Sequence, residues 1–235
     1  MAKIKRLTDR EHILQRVGMY LGSDEINEEQ MYIFKDNKFV KQDVKYVPAL
    51  IKIVNEIIDN SVDEAIRTKF QFGNRIKVEI NENSLRVQDN GRGIPVEEHD
   101  GEYQTKIAWG YARAGSNFDD DSNRVTIGTN GVGSYGANVL SKYFKGISQD
   151  GKKKIVCEWR NNADPETYKE KVTNSSRNGT EVYLEPDFER FKVQKFSDTD
   201  IKIIKTRLVM LALSYPEIKF YFNGELIKLP KEIEF

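Results

Sequence analysis

The sequence predicts an α+β protein, a two-layer α/β sandwich with helices on one face of a mixed, mostly antiparallel sheet. Three observations predict it. Helical and hairpin segments come in blocks, without strict βα alternation. Two long stretches, 48–67 and 197–216, carry the apolar spacing or the capping signal of helices. RIKVEIN (75–81) and SLRVQD (84–89) alternate apolar and polar residues, as strands with one buried face do.

The elements follow in order. Thr8 with Glu11 reads as a capping box opening a short helix over 9–16. RVGMYLGS (16–23) reads as a glycine-punctuated loop. Pro48 suits the first turn of a helix running to about Arg67. The two alternating segments form a hairpin around Asn83 and Ser84, and DNGRGIP (89–95) breaks its second strand. Residues 96–127 are polar, rich in Gly and Asp, with one helical patch near Ile107–Arg113. A connection that long suggests a lid or binding loop. GTNGVGSYGANVLSKYF (128–144) reads as a glycine loop running into a helix, followed by strand-like segments at 152–160, 167–173 and 180–184. Ser197 caps the last helix, and FYFNGELI (220–227) is a hairpin with an Asn-Gly turn.

Composition narrows the classes. The 235 residues suit one domain, 1–235, able to bury a real core. Hydrophobic content of 38%, charged content of 31% and a mean hydropathy of −0.63 predict a soluble protein. No apolar run is long enough for a membrane span, and MAKIKRLTDREH lacks a signal core, so the expected compartment is the cytoplasm. One cysteine, Cys157, excludes an internal disulfide; with only His12 and His99 there is no basis for a zinc site. Lys+Arg and Asp+Glu both number 37, so any DNA contact is expected in a partner or another part of the polypeptide. Trp109 and Trp159 read as packing residues, and Asp119–Asp121 and Lys152–Lys154 as solvated runs.

Three motifs carry chemistry. In NEIIDNSVDEA (55–65) the polar residues Glu56, Asn60 and Asp63 step by four and three, so they share one helical face. That face is either wet or part of a site wall. DNGRG (89–93) ends a strand in Asp89 with glycines behind it. GVGSYG (131–136) fits the dinucleotide pattern G-x-G-x-x-G, with Asp150 about twenty residues on, but no βαβ unit surrounds it and no Walker lysine follows. It also reads as a bare helix cap, or, begun earlier as Gly128-x-x-Gly131-x-Gly133, as a phosphate cradle of backbone N–H groups.

Glu56-x-x-x-Asn60, Asp89-x-Gly91-x-Gly93, the glycine loop and Gly179-Thr180, in this order, resemble the ATP-binding fold shared by gyrase, Hsp90, histidine kinases and MutL, the GHKL (Bergerat) superfamily. EIIDNSVDEA, QDNGRGIPV, AGSNFDDDSNRVTIGTNGVGSYGANVLS and RVGMYLGS look like its type II DNA topoisomerase branch. YVPALIKIVNEIIDNSVDEAIRTKF looks most like the ATPase subunits of T-even bacteriophage enzymes. The resemblance covers about Arg6 to Lys228.

It implies ATP and Mg²⁺ as cofactors. Glu56 would be the general base, or orient the attacking water, and Asn60 would hold the metal. Asp89 would accept from the adenine amino group, supported by Thr180. Gly91 and Gly93 would let the backbone approach the base, and Val87 and Ile94 would line its pocket. Gly128, Thr129, Asn130, Gly131, Val132 and Gly133 would cradle the phosphates. Asp63 would support the site or face the sugar. Glu64 and Arg92 would pair at the pocket mouth, or form a surface ion pair of little worth.

The implied mechanism is a clamp. ATP would order a lid (about 96–130) and an N-terminal segment (1–25), and two copies would dimerise around DNA held by the full-length enzyme. Another topoisomerase subunit would carry the cleavage tyrosine. No membrane is involved, and a phage-encoded enzyme would work in the host cytoplasm. The sequence departs from the branch at Val17, where many relatives have proline, and at Asn117, where gyrase-like members have lysine. Its Gln104-Thr105-Lys106 precedes the glycine loop, so it is read as an accidental match to the Gln-Thr-Lys of a transducer domain. Transducer and DNA-cleavage domains are expected to be absent, leaving an ATPase domain that binds ATP but turns it over slowly alone. The alternatives are a MutL- or Hsp90-like ATPase clamp, or a non-catalytic ATP-binding dimerisation module; a nicotinamide oxidoreductase is a distant third.

Overall fold

A computed structural model describes residues 6–112 and 132–229. The chain begins with α1 (Asp9–Gln15), capped reciprocally by Thr8 and Glu11, and a single turn, α2 (Val17–Tyr20), inside the segment expected as loop. Two strands absent from the sequence reading follow, β1 (Asn27–Lys35) and β2 (Lys38–Tyr46), paired in register from Asn27↔Tyr46 to Lys35↔Lys38. α3 (Pro48–Arg67) has the expected bounds, with Pro48 in its first turn. β3 (Arg75–Ile80) and β4 (Leu85–Asp89) form the expected hairpin. Next come the short pair β5 (Glu98–His99) and β6 (Glu102–Tyr103), then α4 (Gln104–Gly110), which starts three residues before the expected patch.

The largest correction lies after the glycine loop. α5 (Gly133–Val139) is short, and the rest of the expected helix is a strand, β7 (Ser141–Asp150). Two hydrogen bonds end the helix. The Ser141 hydroxyl donates to the Ala137 carbonyl (2.6 Å), and the Asp187 N–H donates to the Leu140 carbonyl (2.9 Å). The chain then runs straight into pairing with two neighbours. The remainder follows the expected order: β8 (Lys153–Arg160), a 3₁₀ turn at Pro165–Thr167, β9 (Lys169–Asn174), β10 (Asn178–Pro186), α6 (Asp198–Ser214), β11 (Lys219–Phe222) and β12 (Glu225–Leu226). Ser197 and Asp200 cap α6 reciprocally.

Eight strands form one sheet in the order β12-β11-β3-β4-β10-β7-β8-β9. Only the β11–β3 pair is parallel. Burial alternates along β3, β4 and β8, so one sheet face is covered and the other is open. Helices supply the cover: α3 lies against β3, β4 and β10, α4 against β7 and β8, and α5 against β7. The core between the layers holds Ile53, Ile58, Ile76, Leu85 and Phe144. α6 packs on β11 and carries the β1–β2 hairpin on its other side, where the Phe34 N–H donates to Thr206 Oγ1 (2.9 Å). This is the expected α+β sandwich with a mostly antiparallel sheet. Among the described residues no helix is long and apolar enough to cross a membrane.

Candidate functional site

The covered side of the sheet is not filled everywhere. Between α3, the stretch after β4, α4 and the start of α5 opens a cleft of about 1280 Å³. Glu56, Asn60, Asp63, Glu64, Val87, Asp89, Arg92, Gly93, Ile94, Val132, Gly133 and Thr180 all line it. The polar face of α3 therefore looks into a cleft. Gly128, Thr129, Asn130 and Gly131 lie outside the described residues, as do Asn117, the Asp119–Asp121 run and the later part of the expected lid.

Asp89 ends β4 with its side chain on the buried face, almost shut off from solvent. Its Oδ1 accepts the Gly91 N–H (2.8 Å) and the Thr180 N–H (3.1 Å). Its Oδ2 accepts the Ser61 hydroxyl (2.8 Å) and the Thr180 hydroxyl (2.5 Å). Burial pushes this carboxyl above its ordinary value, against the pull of Thr180, Gly91 and Ser61. Thr180 is thus placed beside Asp89 by strand pairing: β10 runs antiparallel to β4, and Val182 faces Val87. Val87, Ile94, Val182 and Ile57 supply apolar wall.

Glu56 and Asn60 sit one turn apart on α3. Glu56 pairs with Lys52, one turn before it. The Asn60 amide nitrogen donates to Ser134 Oγ (2.7 Å), which leaves the amide oxygen as the atom for a cation. Gly133 comes so close that a Cβ there would lie 1.8 Å from Glu56 Oε2. A larger residue at the head of α5 would push this carboxylate out of its present place. Asp63 is buried, deeper than the two residues it was grouped with.

Gly91 and Gly93 were expected to admit the base. Their closest approaches are to the chain itself. A Cβ at Gly91 would lie 2.7 Å from Glu64 Cγ, and one at Gly93 would lie 2.1 Å from the Gln149 carbonyl oxygen. Gly93 also has φ +82°, which favours glycine. The segment after Gly91 is hooked to the neighbouring strands at every second residue. Asn178 Nδ2 donates to the Arg92 carbonyl (2.9 Å), the Ser148 hydroxyl donates to the Ile94 carbonyl (2.7 Å), and the Val96 N–H donates to Asp150 Oδ2 (3.0 Å).

Glu64 and Arg92 do pair. Arg92 Nε lies 2.8 Å from Glu64 Oε1 and Nη2 lies 3.1 Å from Oε2, while the Arg92 N–H also donates to Oε1 (3.1 Å). Burial pushes the Glu64 carboxyl up, but Arg92 and Arg67 outweigh it and hold the group below its ordinary value. Arg92 stays half exposed, so this is a pair at the cleft rim.

Several residues serve packing, turns or α4, although Gln104, Trp109 and Asp150 among them also line the cleft. Trp109 and Trp159 are buried around Phe144, as packing. Cys157 is buried on β8, where burial pushes its thiol up. Lys106 pairs with Glu102 (2.5 Å) and Thr105 is buried beside Cys157, so the Gln104-Thr105-Lys106 match serves α4; Gln104 lines the cleft. Asp150, the carboxylate of the dinucleotide pattern, accepts N–H groups of Val96, Lys152 and Lys153 in a turn. His12 contacts the Tyr20 hydroxyl through Nδ1 (2.7 Å). Sequence reasoning missed Lys52, Ser61 and Ser134. The step of four from Lys52 to Glu56 was a usable signal; the Ser61 and Ser134 contacts span α3 to β4 and α3 to α5, and nothing local announces them. No group of three or more His, Cys, Asp or Glu suited to holding a metal occurs among the described residues, so a cation here would rely on bound phosphate and water for most of its shell.

Residues 46–190 match the family model for histidine kinase-, DNA gyrase B- and HSP90-like ATPases. The chain is 42% identical over 231 residues to the DNA topoisomerase large subunit of Enterobacteria phage T4, covering 96% of this chain and 44% of that protein. It is 32% identical to DNA topoisomerase 2 of Candida glabrata, covering 97% of this chain and 17% of that protein. Among solved structures, the ATPase region of Saccharomyces cerevisiae topoisomerase II superposes with a TM-score of 0.88 at 29% identity, over 96% of this chain and 61% of that one. The ATPase and transducer domains of topoisomerase II from Balamuthia mandrillaris give 0.89 at 29% identity, over 96% and 60%. The chain thus spans less than half the length of these curated relatives.

Proposed function

The chain belongs to the histidine kinase-, DNA gyrase B- and HSP90-like ATPase family, and from that premise we propose that it is the ATP-binding and ATP-hydrolysing part of a type II DNA topoisomerase. The observation that carries the reading is the single cleft joining Asp89 and Thr180 at one side to Glu56, Asn60 and Gly133 at the other. An ionised carboxylate is an acceptor only, so Asp89 suits an exocyclic amino group such as that of adenine. Val87 and Ile94 would hold the base, and Gly91 and Gly93 shape that wall. Val132 and Gly133, with Gly128, Thr129, Asn130 and Gly131, would meet the phosphates.

Mg²⁺ fits the donor set: the Asn60 amide oxygen is a hard ligand, and phosphate oxygens and water would complete the shell. When bound, the ion would neutralise charge on the phosphates. Glu56 would then orient water for in-line attack on the terminal phosphate and take its proton. Its contacts with Lys52 and Gly133 set its place. Asp63 and the Glu64–Arg92 pair would brace the sugar side.

In the whole protein, ATP binding would order the N-terminal segment (1–25) and the lid (about 96–130) and drive two copies together around DNA. Another topoisomerase subunit would supply the cleavage tyrosine, and the work would take place in the cytoplasm, that of the host cell for a phage-encoded enzyme. The isolated 235-residue chain is expected to turn over slowly. The test is Glu56→Ala. Calorimetry with a non-hydrolysable ATP analogue should show binding within a few-fold of wild type, while phosphate release falls at least about a hundredfold. Unchanged turnover would sink the catalytic role, and absence of turnover from wild type in the presence of binding would favour a nucleotide-sensing dimerisation module.

A further inference from the structure

The open face of the sheet takes no part in the cleft, and its charge is one-sided. Residues opposite one another on paired strands point the same way. One cross-strand row passes through Lys77 on β3, Glu181 on β10, Ile147 on β7 and Lys171 on β9. The next passes through Arg86 on β4, Tyr183 on β10, Lys145 on β7 and Lys169 on β9. Arg75, Lys219 and Lys154 flank these rows at one end of the strands, and Arg160 at the other. Over the eight strands this face carries nine Lys or Arg side chains against four Glu. The whole chain balances 37 cations with 37 carboxylates. The excess is therefore a segregation that net charge conceals, which is why composition pointed any DNA contact elsewhere.

The four carboxylates engage few of these cations. Glu79 and Glu181 both pair with Arg86, at 3.5 and 3.6 Å. Glu158 accepts the Tyr143 hydroxyl, and Glu185 accepts the Tyr183 hydroxyl (2.9 Å). Among the described residues the other eight cations form no ion pair. Lysines on an edge strand commonly guard it against pairing with another chain. That accounts for Lys169 and Lys171 on β9, but not for Lys77 and Lys145 on interior strands. The tyrosines are not open platforms for bases. Arg86 and Lys145 lie 5.8 and 5.7 Å from the centre of the Tyr183 ring, and Arg160 lies 4.6 Å from that of Tyr143. Rings covered in this way leave the cations as the contacting groups, which suits phosphates better than unstacked bases. Eight strands about 4.8 Å apart span about 34 Å, the length of about one turn of duplex DNA.

We infer that the open sheet face is a docking surface for double-stranded DNA, which its unpaired lysines and arginines hold through the phosphates without regard to sequence. The surface lies on the side of the sheet away from the helices, so DNA on it leaves the cleft accessible. Two copies that close around DNA need not touch it with this face, so the inference goes beyond the clamp. It stands on register and charge and does not depend on the cleft.

The experiment is fluorescence anisotropy of the 235-residue chain with a labelled duplex of about 20 base pairs. Wild type should bind it at about 50 mM salt, and affinity should fall about a hundredfold by about 200 mM, as neutralising about four phosphates requires. A triple variant of the face, Lys77→Glu, Lys154→Glu and Lys171→Glu, should lose at least about tenfold. A control with the same change in net charge, Lys35→Glu, Lys38→Glu and Lys41→Glu on the β1–β2 hairpin, should lose less than about threefold. Equal loss in both triple variants overturns the inference, because net charge alone would then explain binding. So does a wild type that ignores the duplex, prefers a single strand of the same length, or binds polyglutamate as tightly, the last pointing to an acidic protein instead. If the face variant does not fold, acetylation of the wild type decides: the duplex should protect Lys77, Lys154 and Lys171 and leave Lys35, Lys38 and Lys41 reactive, and uniform reactivity overturns the inference. Titration of an ATP analogue into the same wild type keeps the two readings apart. Duplex binding without nucleotide binding upholds this surface and sinks the ATPase reading; the reverse result does the opposite.

Discussion

Asp89 collects backbone N–H groups on one oxygen and hydroxyls on the other. An asparagine can meet that demand: its oxygen would take the two N–H groups, and its amide would donate to hydroxyls that turn to accept. Asp89→Asn should therefore fold. The sign of the pH linkage supports this. The folded Asp89 carboxyl is raised, so what it contributes to stability is present at low pH and is lost as pH rises through the folded value. At neutral pH, Asp89→Asn should melt within a few degrees of wild type or above it, while affinity for an ATP analogue drops at least about tenfold. A marked loss of melting temperature would refute the isosteric argument. Glu64 carries the opposite sign. Its folded value is lowered by Arg92 and Arg67, so its contribution is present above the ordinary value of 4.5 and lost as pH falls through the lower folded one. The melting advantage of wild type over Glu64→Gln should be steady near neutrality and shrink below pH about 4.5; an advantage that grows in acid would contradict the pairing. At this scale the sequence was readable where a side chain's neighbours lie within one helical turn or one motif, as with Glu56 and Asn60. It was not readable at Ser61, whose partner lies on β4, because a serine in mid-helix carries no charge or motif that names a distant partner, whereas Glu64 and Arg92, equally far apart, offer opposite charges.

Among the elements, α3 carries the cleft wall on one side and is tied to α6 on another. Asp59, almost buried, pairs with Arg207 Nη2 at 2.7 Å. Removing Asp59 takes a charge-assisted hydrogen bond from Arg207, which keeps 35% of its side chain in solvent, so Asp59→Ala should cost about 1.5 kcal/mol in urea denaturation. The double variant Asp59→Leu with Arg207→Met should recover most of that, since packed apolar residues often replace such pairs without loss. Equal destabilisation by single and double variants would show that α3 and α6 do not depend on the pair. Helix α3 was legible because Pro48 and its apolar period agree with the final packing. β7 was not: Val139, Leu140, Tyr143 and Phe144 mimic one continuous helical period, but the helix ends at Val139, and only pairing with β10 and β8 puts Tyr143 and Phe144 in a strand. The β1–β2 hairpin was missed because most of its residues are exposed on both faces, so alternation is faint. Its one usable signal was the turn at Asp36 and Asn37, both at positive φ (51° and 63°).

For the whole molecule, motifs far apart in the chain meet around one cleft, which is why family resemblance reached further than any local pattern. The same resemblance predicts assembly. Sedimentation of the chain with a non-hydrolysable ATP analogue and Mg²⁺ should convert monomer to dimer, with no conversion by the analogue in Asp89→Asn. A dimer that ignores nucleotide would remove the clamp from the proposal.

The hooks on Arg92, Ile94 and Val96 have a consequence for pharmacology. They fasten one wall of the cleft to β7, its turn and β10, so the part of the cavity around Asp89 exists before any ligand arrives. A small heterocycle with a donor for Asp89 would find its receptor already assembled and would lose little affinity to ordering it. Compounds of that kind should compete with ATP while ignoring the triphosphate half altogether, and resistance to them should arise by substitution around Ser61, Ser148 and Thr180 more readily than in the glycine loop.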